Sequence, residues 1–179
     1  MTRVTTFYLQ MNTSSELRPK RSGDTRFTVR ETAPARWQLN RDMYLLVGGE
    51  WDWVDKYEWS DRQWQDYAES DDLRTFIAHF EGDVAGYYEL RRDEPNDVEI
   101  AYFGLTPAFF GRGLGAALLT DALERAWAWD AQRVWVHTCT LDHPAALKNY
   151  EARGMTVYQR TTEGSGGPAG DSSHGLVPK

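Results

Sequence analysis

The chain has 179 residues and a mass of 20.6 kDa, of which 41% are hydrophobic and 13% aromatic. That is enough for one domain with a sizeable core, and it argues against wholesale disorder. Lys and Arg total 20 against 27 Asp and Glu, giving a net charge of -7 and a pI near 5.1. The sign is wrong for a general nucleic-acid binder, which must neutralise phosphates, and suits a cationic partner. Cys139 is the only cysteine, so an intrachain disulfide is impossible and a cysteine-based zinc site lacks ligands. His79, His137, His143 and His174 have no ligand-like spacing, so no metal is expected. No apolar stretch approaches the roughly 20 residues of a membrane span, and residues 1–16 lack the apolar core of a signal peptide. A cytoplasmic protein that does not engage membranes is the expectation.

Taken in chain order, residues 5–11 alternate weakly like a strand, and residues 26–29 resume that pattern after the breaker-rich segment 18–24. Trp37, Leu39, Met43, Tyr44 and Val47 approximate a helical face that ends at Gly48-Gly49. Residues 50–72 hold four of the eight tryptophans, Trp51, Trp53, Trp59 and Trp64, and nine acidic residues against only Lys56 and Arg62. Ser60 predicts a helix N-cap, with a short helix running to about Glu69. Strands are predicted over 73–80, 84–90 and 98–105, joined by turns at 81–83 and 93–96, as an antiparallel meander. From Gly111 the period changes: Leu114, Leu118, Leu119, Ala122, Leu123, Ala126 and Trp127 recur at three and four, which predicts a core-facing helix to Trp129. A strand over 133–140, a helix over 144–153 stopped by Gly154, and a strand over 155–160 complete a domain of residues 1–163. Residues 164–179, with five glycines and two prolines, read as a mobile tail whose end, residues 172–179, resembles an expression-vector remnant.

The run Phe103-Gly-Leu-Thr-Pro-Ala-Phe-Phe-Gly-Arg-Gly-Leu-Gly-Ala116 places a strand, a turn with three alternating glycines and a helix in succession. Such a turn aims unpaired backbone N–H groups at one point without obstructing side chains, a cradle for a pyrophosphate. The plainer reading is a tight strand-to-helix turn whose glycines serve packing. A Walker loop is excluded by the missing Gly-Lys-Ser/Thr, and a dinucleotide fold by the hairpins that flank the run.

Phe110-Gly-Arg-Gly-Leu-Gly115 resembles the signature of the GNAT superfamily of N-acetyltransferases, Gln/Arg-x-x-Gly-x-Gly/Ala, with Phe110 in place of Gln/Arg. His143-Pro-Ala-Ala146 and Tyr150-Glu-Ala-Arg-Gly154 resemble the family's second motif, Asn-x-x-Ala-x-x-x-Tyr-x-x-x-Gly, with His143 in place of Asn. The resemblance covers residues 73–160 and extends to the N-terminal region only in element order. It implies an α/β (α+β) fold with a mixed, mostly antiparallel sheet flanked by helices, in which the strand 134–140 splays from 101–105 to admit acetyl-CoA. It implies cosubstrate contacts from Phe103, Gly104, Leu105, Phe110, Gly111, Arg112, Gly113, Leu114, Gly115, Ala116, His143 and Tyr150. Arg112 would supply the charge that Phe110 lacks.

Acetyl transfer to an amine needs a neutral amine, a stabilised acyl oxygen and a proton for the leaving thiolate. By its place on its strand, Glu99 resembles the family's glutamate base; otherwise it is an ordinary strand carboxylate. Backbone N–H groups near 103–105 are the expected donors to the acyl oxygen. Tyr150 matches the family's tyrosine acid, against the alternative of a core aromatic. His137 is a relay or pocket wall, or simply a hydrogen-bonded strand histidine, and Cys139 a small core residue. The resemblance places the acceptor site in the N-terminal helices and the loop between them, where Trp51 and Trp53, with Tyr102 and His137, would line it. Aromatic faces and carboxylates there suit a cationic amine, while a solvent-exposed acidic turn anchored by core tryptophans explains the same residues. The function implied is transfer of acetyl from acetyl-CoA to a primary amine of a small molecule, by direct attack in a ternary complex of a monomer or homodimer. A protein amine as acceptor, or a CoA-sensing module without activity, are the alternatives.

Overall fold

A computed structural model describes residues 3–93 and 95–164. The predicted tail lies outside these residues except for Gly164, as do His174 and residue 94 of the predicted turn. The strands are β1 (Arg3–Met11), β2 (Phe27–Glu31), β3 (Leu73–Phe80), β4 (Asp83–Asp93), β5 (Asp97–Leu105), β6 (Arg133–Cys139) and β7 (Thr156–Gly164). The helices are α1 (Trp37–Gly48), α2 (Asp61–Ala68), α3 (Leu114–Ala128) and α4 (Ala146–Ala152). One sheet runs in the order β2-β3-β4-β5-β6-β1-β7. The β5–β6 pair is parallel and the other pairs are antiparallel, the mixed, mostly antiparallel sheet that was expected. No helix among the described residues is long and apolar enough to cross a membrane.

The meander β3–β4–β5 follows the predicted strands. Its hairpin turns on Glu81 and Gly82, both with positive φ, the conformation a tight connection demands. The N-terminal strand departs from local expectation. β1 crosses the molecule and inserts between β6 and β7, with Leu9 opposite both Val136 and Val157. That pairing draws β7 out to Gly164, opposite Arg3, beyond the predicted end at residue 160, because the β1 backbone supplies partners that polar Thr161 and Thr162 do not advertise.

Two cores form on the two faces of the sheet. On one, Leu118, Leu119, Ala122, Leu123 and Ala126 of α3 pack with Leu9, Leu90, Ile100, Val136 and Tyr150. On the other, Met43, Tyr44 and Val47 of α1 and Trp64 of α2 pack with Trp53, Ile77, Tyr87, Ala101 and Tyr102. Ser60 caps α2 as predicted: its side chain accepts from Gln63 N at 3.3 Å, and Gln63 Oε1 accepts from Ser60 N at 3.0 Å, a reciprocal capping box. Buried Glu89 accepts from Asn40 Nδ2 at 2.7 Å and from Tyr67 Oη at 2.5 Å, so this carboxylate is held by neutral donors.

Two irregularities position the site. In β5, Tyr102 stands opposite Glu89 and Ile100 opposite Leu90, which leaves Ala101 as a bulge. The bulge breaks the period of two, so Glu99 shares a face with Tyr102 instead of Phe103. Pairing of β5 with β6 stops after Glu99 and Trp135, and the freed ends of the two strands enclose a cleft, where the splay was expected.

Candidate active site

The cleft has a volume of about 400 Å³ and lies between the C-terminal halves of β5 and β6, roofed by the start of α3 and by α4. Gly111 and Gly113 have φ of +74° and +75°, and a Cβ on either would meet no atom within 4 Å. These positions are therefore reserved by conformation and open above, as a backbone cradle for an anion requires. Gly113 is the residue that caps α3, which puts the helix's unpaired N–H groups at the cleft. Asn149 Nδ2 donates to Gly115 O at 3.0 Å, tying α4 to the first turn of α3.

Phe103, Gly104, Leu105, Phe110, Gly111, Gly113, Gly115, Ala116, His143 and Tyr150 line this cleft, together with Trp51, Trp53, Tyr102 and His137. Glu99, Arg112 and Leu114 do not. Leu114 is buried in the core beneath α3. Arg112 instead packs its guanidinium 5.4 Å from the ring of Phe80 and 5.2 Å from that of Phe109, outside the residues that line the cleft. Glu99, only 1% exposed, pairs with Arg91 Nη2 at 2.6 Å, and its Oε1 lies 4.0 Å from His137 Nδ1. It meets the cleft through His137.

Tyr150 is buried against Phe103, ring centroids 6.0 Å apart. Burial first and the Asp142 carboxylate second raise its pKa well above the ordinary tyrosine value, so the phenol keeps its proton at any working pH. Asp142 accepts from Thr138 Oγ1 at 2.6 Å and from Cys139 N at 2.9 Å, fixing the turn that leads to α4. Cys139 is buried, and burial raises its thiol pKa, which suits a core residue rather than a nucleophile. Lys148, Asn149, Asp142 and Thr138 were not singled out from the sequence. The first two lie within the second motif beside Tyr150, and the last two span a Thr-x-x-x-Asp turn, which is the available signal for each.

The two departures from the family motifs are in contact. Phe110 and His143 pack edge to face at 4.9 Å, and Trp51 meets the first at 6.1 Å and the second at 5.1 Å. On the α1–α2 side, Trp53 and Tyr102 pack at 5.0 Å. Behind Tyr102, the Asp55 carboxylate accepts from Tyr102 Oη and, at 2.9 Å each, from Tyr44 Oη and Lys56 Nζ.

The chain matches the model of the acetyltransferase (GNAT) family over residues 36–155, and it belongs to that family. An uncharacterized N-acetyltransferase of Mycobacterium tuberculosis is 39% identical over 59 residues, 33% of this chain and 38% of that one. A mycothiol acetyltransferase of Nocardia farcinica is 40% identical over 73 residues, 41% of this chain and 22% of that one. A GCN5-related N-acetyltransferase from Kribbella flavida superposes with a TM-score of 0.62 at 16% identity, over 91% of this chain and 59% of that one. Another, from Sphaerobacter thermophilus, gives 0.63 at 14% identity, over 89% and 50%. The matches span about a fifth to three fifths of the length of these relatives, and the structural likenesses speak for the fold alone.

Proposed function

We propose that the protein transfers an acetyl group from acetyl-CoA to a primary amine of a small molecule, by direct attack in a ternary complex. The observation that carries this reading is the convergence of two strands parted after Glu99, a two-glycine cradle at the head of α3, and Tyr150 on one cleft. Acetyl-CoA, when bound, supplies an acyl group activated as a thioester. Backbone N–H groups over residues 111–116 take the pyrophosphate, and the β5 edge at 103–105, released by β6, offers backbone groups to the pantetheine arm and the acyl oxygen. Cleft walls of Leu105, Ala116, Val136 and Ala146 keep water from the thioester.

An acceptor amine with a pKa of about 10.4 must shed a proton before it attacks. His137 is the group of this relay that faces the cleft; it accepts that proton, and Glu99 behind it orients the imidazole and stabilises its charged form. Tyr150 holds its proton until negative charge develops on sulfur, then donates to it. Thermal protection by acetyl-CoA, followed by release of CoA in the presence of an amine panel, tests the reading. Binding without release over every amine would overturn it in favour of a sensing module.

A further inference from the structure

An amine that gives its proton to His137 has to stand beside it, so the groups flanking His137 set what kind of body that amine can carry. His137 lines the cleft. It stands opposite Tyr8 across β6 and β1, with ring centroids 5.6 Å apart, and Trp135 lies 6.2 Å away on the same strand. Tyr158 of β7 continues the row, 6.3 Å from Tyr8. Alternation turns Leu9, Val134 and Val136 to the core under α3 and leaves Tyr8, Trp135 and His137 on the opposite face of the sheet. On that face, the apolar cluster under α1 and α2 takes its strand residues from β3, β4 and β5, and none from β1, β6 or β7 among the described residues. Tyr158 is accordingly 42% exposed and Trp135 only partly buried, with Tyr8 buried beside them. A sheet face turned to water normally alternates to polar side chains. Here three aromatic rings extend outward from a cleft residue instead.

The glycine cradle heads α3, which packs on the other face. Cosubstrate and acceptor therefore reach the fork between β5 and β6 from opposite faces, and the aromatic row belongs to the acceptor's side. From this we infer that the acceptor is a primary amine carrying an aromatic ring on a short tether, its nitrogen at His137 and its ring against Trp135 and Tyr158. A flat ring on such a row gains apolar burial together with offset or edge-to-face ring contacts. The charge around the row disfavours a second ammonium. Arg133 flanks its outer end, the guanidinium 5.7 Å from the ring of Tyr158 and 6.0 Å from that of Trp135. It is held there by Asp97 Oδ2 at 2.8 Å and Gln10 Oε1 at 3.1 Å. Glu99, the carboxylate behind His137, already pairs with Arg91. A diamine would bring its second charge toward Arg133, whereas a neutral ring meets no such repulsion.

The inference rests on the acetyltransferase reading with His137 at the amine, and its test separates the two. Binding of 2-phenylethylamine, n-butylamine and 1,4-diaminobutane is measured by calorimetry with and without CoA, and KM for each by CoA release from acetyl-CoA. The aromatic amine should bind about tenfold more tightly than either aliphatic one, with a KM lower by the same factor. Trp135→Ala and Tyr158→Ala should each cut that advantage to about threefold or less. Tyr158→Ala removes an exposed ring, so it carries the test should Trp135→Ala melt early. No preference for the aromatic amine, or a preference that both folded variants keep in full, overturns the inference. CoA release from all three amines at equal kcat/KM would remove the aromatic acceptor and keep the acetyltransferase reading. Preferential binding of 2-phenylethylamine, lost in the variants but with no CoA release from any amine, would keep the row as a binding site and remove that reading.

Discussion

Gly113 offers a sharp test of the cradle. At φ +75° it caps α3, and an added Cβ would meet nothing within 4 Å, so Gly113→Val meets no protein atom at Cβ and costs mainly backbone strain. A β-branched residue held in the left-handed region costs about 1–3 kcal/mol. For a chain of this size each kcal/mol moves Tm by about 2–4 °C, so the variant should melt about 2–12 °C below wild type and remain folded at 25 °C. Acetyl-CoA at a hundredfold excess over Kd stabilises the wild type by about 2.7 kcal/mol, or about 5–11 °C. In Gly113→Val that rise should vanish, because the side chain fills the space where the ligand would meet the backbone. Gly111→Ala, strained alike at φ +74° but smaller, should show an intermediate rise. Scanning fluorimetry with and without acetyl-CoA reads both quantities in one experiment. A folded Gly113→Val protein with the full wild-type rise would refute the cradle.

Other consequences follow from the site. Tyr150→Phe should lower kcat by about 10²-fold with little change in acetyl-CoA affinity, since it removes a proton donor and keeps the packed ring; wild-type turnover in the folded variant would return Tyr150 to a packing role. His137→Ala and Glu99→Gln should each lower turnover, mostly near neutral pH, and the double variant should lose no more than the worse single one, because the two act as one relay. Additive losses, or losses flat from pH 7 to pH 10, would break the relay. At the surface, hydrogen bonds from Arg26 hold the Asp24 carboxyl down at about 2 against an ordinary 3.8. The stability it brings is present above the ordinary value and lost as pH falls toward 2. NMR titration should find that depressed pKa and see it return to the ordinary range in Arg26→Ala.

What could be read from the chain was what is encoded locally. The three-and-four spacing of α3, the Ser60 cap, the glycine at 113 and the stop at Gly154 are each set by a few neighbouring residues, and each stands where its chemistry predicts. Long-range pairing was not legible. Nothing in the alternation of residues 5–11 says that β1 crosses to lie between β6 and β7, since the register is fixed by partners about 120 to 160 residues away. The bulge at Ala101 was equally silent, and it decides the most about the site. Strict alternation back from Leu105 places Glu99 on the face of Phe103 and Tyr150; the extra residue turns it to Arg91 and His137 instead. A glutamate chosen by strand position thus stands behind a histidine instead of lining the cleft itself.

The same limit applies to the two motif departures. Read singly, Phe110 removes a polar side chain from the family motif and His143 exchanges an amide for an imidazole. Read in space, they are one substitution: the rings pack on each other and on Trp51, so each apolar surface is covered by the other two. Trp51 lies in the same connection as Trp53 and Lys56, between α1 and α2. The glycine loop, the start of the α4 segment and the α1–α2 connection are therefore joined by one aromatic contact. A ligand that shifts Phe110 or His143 must repack Trp51 as well. The two departures thus tie the glycine loop and the start of the α4 segment to the connection between α1 and α2.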